Sequence, residues 1–209
     1  MILGVTGGMG CGKSSVARLF EDLGYRRLDS DEIVRMNLLT QAAVISAVCD
    51  RHGTAAIDAD GQINRAFLAR RIFSDDAERQ WLEALLHPLL FQFWREALAS
   101  APTANWVIEV PLLFEKGLEN WFDFTLCVAS TPEQQFVRLE KRGITRAQAE
   151  SRISKQLPLV RKTELADYVV GNDGSPAFLK RQVTFLAGKL ESANPRLRSP
   201  LGSVHIPEL

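Results

Sequence analysis

The sequence predicts an α/β fold built on a five-stranded, mostly parallel sheet flanked by helices. Three observations carry this. Five short β-branched or aromatic runs recur along the chain, each nearly continuous in apolar residues rather than alternating, as strands covered on both faces are. Stretches of helical periodicity separate them. A glycine-rich, phosphate-binding pattern follows the first run and opens a helix. At 209 residues, the chain has the length of one globular domain carrying a lid or subdomain.

The strands are expected at Ile2 to Thr6, Tyr25 to Asp29, Trp106 to Val110, Phe124 to Ala129 and Tyr168 to Val170. Between the second and third lie about 76 residues, far more than one crossover helix needs, so a helical insert is expected over about 31–103. Inside it, Asp60-Gly61 marks a turn, and Asp75-Asp76 precedes a helix whose Leu82, Leu85, Leu86, Leu89 and Phe93 follow a helical repeat. Pro88 lacks an N–H donor and crowds the preceding turn, so a kink or two helices are expected there. Thr131-Pro132-Glu133-Gln134 combines an N-cap, a first-turn proline and a capping-box Gln. With Gly143 as the stop, it predicts a helix over about 132–142. Thr145-Arg146-Ala147-Gln148 starts another helix, which Pro158 is expected to end. Ser175-Pro176 starts the last, with Leu179, Val183, Leu186 and Leu190 facing the core. The reading is a single domain over 1–192, with a core of 1–30, 104–130 and 163–192, a lid over about 131–162, and a flexible tail over 193–209.

Composition excludes several classes. The 25 Lys+Arg balance 25 Asp+Glu at a pI of about 6.8, so the chain lacks the positive field that holds proteins on nucleic acid or anionic membranes. No run approaches the ~20 apolar residues of a membrane span, and the N-terminus shows no leader, which predicts a cytoplasmic protein. Cys11, Cys49 and Cys127 are odd in number and lack CxxC spacing, as befits a reducing compartment. The charge is nonetheless uneven. From Arg138 to Lys162 there are eight basic residues against two acidic ones.

Gly7-Gly8-Met9-Gly10-Cys11-Gly12-Lys13-Ser14 matches GxxxxGK[ST]. A chance match in a chain of this length is on the order of one in a hundred from average composition. Its backbone N–H groups can wrap a phosphate at a helix N-terminus, Lys13 can bridge the β- and γ-phosphates, and the Ser14 hydroxyl can ligate Mg²⁺. A GTP switch should carry Asn-Lys-x-Asp, which is absent. A motor ATPase normally has aliphatics ending in adjacent acids, whereas the third strand reads Val107-Ile108-Glu109-Val110-Pro111. A small-molecule kinase remains in front.

The second strand ends in Asp29-Ser30-Asp31 at the sheet edge where ligands of open α/β folds bind. One acid can orient an acceptor hydroxyl as general base while the other holds Mg²⁺ through water. On spacing alone, Asp31 serves equally well as the cap of the helix through Ile33 and Val34. Transfer to another phosphate needs no base, so a working Asp31 favours an alcohol acceptor. Arg138 and Arg142 share one helical face and Arg146 and Arg152 follow. Such a cluster can close over ATP, or can equally be a solvated basic face.

Together these residues resemble the dephospho-CoA kinases. The resemblance runs from residue 2 to about 190 and rests on the phosphate loop with Thr6, on Asp29-Ser30-Asp31 with Arg35, and on Leu86-His87-Pro88-Leu89. It rests further on Val110-Pro111-Leu112-Leu113-Phe114-Glu115, on Arg138 through Arg142 with Gln156, and on Val169-Val170-Gly171-Asn172-Asp173-Gly174. It implies a P-loop kinase fold with a helical CoA-binding insert and a lid, and transfer of the ATP γ-phosphate to the 3′-hydroxyl of dephospho-CoA with Mg²⁺. By the same resemblance Asp31 is the base, Lys13 and Arg142 assist transfer, and Gly8 through Ser15 bind ATP with Arg138 and Asn172. Asp31, Arg35, His87, Pro111, Leu112 and Glu115 meet the acceptor, and Ser14 and Asp29 the metal. Cys11, Ser15 and Ser30 depart from the commoner Ser, Thr and Ala without removing a donor or a charge. Cys11, beside Lys13 at a helix N-terminus, is expected to have a lowered pKa and to block ATP binding when oxidised.

Overall fold

A computed structural model describes residues 1–193 of the chain, which divides into two compact units. The expected tail falls almost wholly outside the described residues. Among the described residues, the first unit comprises 1–29 and 103–193. Its strands are β1 (Ile2–Gly7), β2 (Arg26–Asp29), β3 (Trp106–Glu109), β4 (Phe124–Ala129) and β5 (Tyr168–Gly171), all parallel in the order β2-β3-β1-β4-β5. The five expected strands are thus all present, within about a residue of their predicted bounds. Helix α1 (Lys13–Asp22) follows β1, and α9 (Pro176–Glu191) follows β5.

The central strands are buried because both faces are covered. On one side Leu3, Val5, Val107 and Leu126 pack with Val16 and Phe20 of α1 and with Leu179, Val183, Leu186 and Leu190 of α9. On the other, Gly4 leaves room for Phe122 and Leu113, which a Cβ would meet at 2.7 and 2.9 Å. The edge strands β2 and β5 are only partly covered, so continuous apolar burial holds for β1, β3 and β4.

Between β4 and β5 run α6 (Pro132–Glu140), α7 (Arg146–Ile153) and α8 (Leu159–Leu165). Thr131 caps α6 by accepting from the Gln134 N–H, and Gly143, at φ 76°, closes it. The Gly143 N–H donates to Glu140 O and the Ile144 N–H to Leu139 O, the paired bonds of a Schellman stop. Thr145 and Gln148 form a reciprocal capping box on α7. Pro158 does not end α7, which stops at Ile153. It sits ahead of α8, where a missing N–H costs nothing.

The second unit, residues 30–102, is helical. α2 (Ser30–Ile33) runs into one π-helical turn, Val34–Leu38, in which the Leu39 N–H reaches Val34 O. α3 (Ala42–His52), α4 (Arg65–Ser74) and α5 (Asp76–Ser100) follow. The Asp75 side chain caps α5 through Ala77 N and Glu78 N. α5 runs through Pro88 as one helix rather than two. Buried Leu82 and Leu86 before the proline and Leu90, Phe91, Trp94 and Leu98 after it hold the rod together against one lost backbone bond. Among the described residues no single helix is long and apolar enough to cross a membrane.

Candidate active site

The chain order of the sheet reverses about β1, and the loop after β1 lies at the carboxyl edge where such folds bind ligands. That loop needs glycine for two distinct reasons. Gly10 and Gly12 hold φ of 81° and 93°, backbone that L side chains avoid. A Cβ on Gly12 would also fall 2.2 Å from Asn172 Nδ2, and one on Gly10 would fall 2.9 Å from Gln135 O. The loop ends as the N-cap of α1, so the first N–H groups of that helix face its mouth. Lys13 folds back over the loop, its Nζ donating to Gly7 O at 3.2 Å and to Gly8 O at 3.1 Å.

Side chains from α6 and from the residue after β5 hold the loop from behind. Asn172 Nδ2 donates to Cys11 O at 2.8 Å. Arg138, on α6, donates to Gly10 O, Cys11 O, Ser130 Oγ and Asn172 O at 3.3, 3.4, 2.9 and 2.5 Å. These bonds turn the loop carbonyls toward protein donors, and the Cys11 N–H bonds back to Gly8 O at 3.2 Å, a winding that lets a loop of this kind present N–H groups to an anion. Arg138 and Asn172 thus join Gly8, Met9, Gly10, Cys11, Gly12, Lys13, Ser14 and Ser15 in one place. Cys11 corrects one expectation. It is fully buried, and burial pushes its thiol pKa up, outweighing the opposing Lys13 charge. It is a packed thiol, not an activated one.

Ser14 donates from Oγ to Glu109 Oε2 at 2.7 Å. Glu109 ends β3, is buried, and lies in register beside Asp29 of β2. Arg27, two residues before Asp29 on the same face of β2, donates to Glu109 Oε1 at 3.1 Å and to Asp29 Oδ2 at 3.5 Å. Burial pushes the Glu109 carboxyl up, with the Asp29 charge adding and the bonds from Ser14 and Arg27 opposing. One hydroxyl and two carboxylates therefore meet beside the loop. Sequence reasoning assigned no role to Glu109 or Arg27. The available signal was a lone acid closing an otherwise apolar strand.

The remaining candidates fall into three groups. Pro111 and Glu115 lie in the turn after β3. Pro111 O accepts from Thr6 Oγ1 at 3.2 Å and from Lys162 Nζ at 2.9 Å, and Glu115 pairs with Lys162 at 2.8 Å. Leu112, between them, is half-buried. Arg142 is exposed beyond the end of α6, whereas Arg146 lies over the Phe136 ring at 4.4 Å and pairs with Glu150. Asp31, Arg35 and His87 belong to the second unit. Asp31 is exposed in the first turn of α2, two residues along the chain from the end of β2, and Arg35 is exposed in the π-helical turn. His87 is half-buried on α5 with its ring stacked on Phe91 at 5.8 Å.

This sheet order, with a glycine loop and a lysine-serine pair at the start of α1, defines a P-loop kinase. The fold is shared with a shikimate kinase from Acinetobacter baumannii, at a TM-score of 0.52 and 20% identity over 92% of this chain and 95% of that one. The chain belongs to the dephospho-CoA kinase family, whose model matches residues 1–177. It is 39% identical to a dephospho-CoA kinase of Yersinia pseudotuberculosis over 88% of this chain and 90% of that protein. A dephospho-CoA kinase of a Synechococcus species is 38% identical over 93% of both. The crystal structure of TT1252 from Thermus thermophilus superposes with a TM-score of 0.78 at 32% identity, covering 91% of this chain and 97% of that one.

Proposed function

We propose that the protein is a cytoplasmic enzyme that transfers the γ-phosphoryl group of ATP to the 3′-hydroxyl of dephospho-CoA, giving CoA and ADP. One observation carries this reading: the formed phosphate loop, with Lys13 and Ser14 in place, stands in a chain whose residues 1–177 match the dephospho-CoA kinases. The loop N–H groups and the start of α1 hold the β- and γ-phosphates, with Lys13 moving from its own loop carbonyls onto them. Asp31 orients the acceptor and takes the 3′-hydroxyl proton as the oxygen bonds to Pγ. The bond from Pγ to the bridging oxygen breaks, and ADP leaves with that electron pair. A loose transition state lets an ordinary aspartate do this by positioning and late proton acceptance. Arg142 and its basic neighbours neutralise charge on the transferred group. Because Arg138 ties α6 to the loop, the part that closes is the stretch from Gly143 to Lys155.

The Ser14 hydroxyl with Glu109 and Asp29 fits a hard cation that takes oxygen ligands and keeps waters and phosphates in its shell. Mg²⁺ there would neutralise phosphate charge when bound with the nucleotide. Pro111, Leu112 and Glu115 are the acceptor-side residues of the first unit, and Arg35 and His87 those of the second. The test is product identity. Phosphorus NMR of the reaction with ATP is expected to show a new 3′-phosphomonoester on dephospho-CoA. A product phosphorylated at another hydroxyl would contradict the assignment.

A further inference from the structure

Lys162 has no exposed surface at all. Helix α8 packs on β1 and β4 and drives this ammonium inside the first unit, where it meets Glu115 Oε1 at 2.8 Å and Pro111 O at 2.9 Å. Glu115 Oε1 also accepts from the Leu157 N–H at 2.9 Å, and Pro111 O also accepts from Thr6 Oγ1 at 3.2 Å. One buried cation therefore ties the last residues of β1, the Pro111–Glu115 turn and the residues leading into α8.

Such a pair is a poor way to gain stability. Removing two charges from water costs about as much as their attraction returns, and apolar residues of equal volume usually do as well. What a charged pair supplies is one specified geometry, because the ammonium and the carboxylate accept few arrangements once water is excluded. We propose that Lys162 is a positioning residue for the acceptor, acting through Glu115 and the Pro111 carbonyl to hold the turn after β3 in its productive shape. This rests on the reading of that turn as the acceptor side. On this account Glu115 works as the partner of Lys162.

Steady-state kinetics of Lys162→Met, Glu115→Gln and the double variant test it. Lys162→Met is expected to lower kcat/KM for dephospho-CoA by at least about tenfold, with KM for ATP changing less than about twofold, because the bonds of the ammonium described above go to Glu115 and Pro111 and to no phosphate-loop atom. The double variant is expected to be no worse than the poorer single one, since both act through one pair. Parallel losses toward ATP and acceptor, or losses that multiply, would overturn the proposal. Should Lys162→Met fail to fold, the double variant leaves no lone buried charge, and wild-type acceptor kinetics in it would be equally fatal. If the wild-type protein itself leaves dephospho-CoA unphosphorylated, the functional reading fails separately. Hydrogen exchange at the Leu157 N–H then reads the tie alone. Exchange is expected to quicken in Lys162→Met, and unchanged exchange would rule the tie out.

Discussion

Asp31 and Asp29 stand two residues apart with unlike surroundings. Asp29 shares Arg27 with the buried Glu109, while Asp31 is exposed in the first turn of α2. The proposed division into a metal-side acid and a base has a specific consequence. Asp31→Asn is expected to lower kcat at least ~10²-fold while ATP affinity, measured by titration calorimetry, stays nearly unchanged. A fully active Asn variant would remove the base assignment. At this scale the sequence was most legible where local chemistry decides, as in the loop glycines, Lys13 and Ser14. It was least legible where burial decides. Cys11 has the neighbours of a reactive thiol, yet full burial reverses the direction of its shift. Glu109 and Arg27 come together only when β3 and β2 pair in register, and Lys162 becomes buried only when α8 docks on the sheet.

Elements were recovered where caps and periods agree. The Thr131 and Thr145 caps, the Gly143 stop and the Ser175-Pro176 start each formed as their local sequences require. Pro88 shows the opposite case, a local breaker overridden by packing along α5. The same unit offers a test of how its helices are held. Arg51, from the last turn of α3, forms two bonds to Glu78 in the first turn of α5 at 3.0 and 3.1 Å and lies over the Trp81 ring at 4.7 Å. The Arg51 bond holds the Glu78 carboxyl below its ordinary value near 4.5. A carboxylate depressed in the folded state adds stability above its unfolded pKa and loses it as pH falls through the folded one. Wild-type protein is therefore expected to melt above Glu78→Gln at pH 7, with the gap in Tm closing as pH drops below 4.5. A gap unchanged down to pH 3 would show that the Glu78 charge is not what separates the two proteins.

For the whole molecule, zero net charge excluded a general polyanion binder but hid a basic stretch from Arg138 to Lys162 set against an acidic remainder. The structure sorts that stretch by residue. Arg138 is spent on the loop carbonyls, Lys162 is buried on Glu115, Arg146 and Arg161 pair with Glu150 and Glu164, and Arg142 is exposed. A basic run in sequence thus becomes two internal fasteners and a smaller charged surface. The fold class was legible throughout because five apolar runs and one loop motif suffice for it. The choice of acceptor came from motifs recognised in order along the chain, since no single spacing specifies dephospho-CoA. The central claim is therefore the acceptor, and ADP release from ATP measured in parallel with dephospho-CoA, adenosine, AMP and no acceptor addresses it most directly. Release that requires dephospho-CoA is the expected result. Equal release without an acceptor, or a preference for AMP, would contradict it.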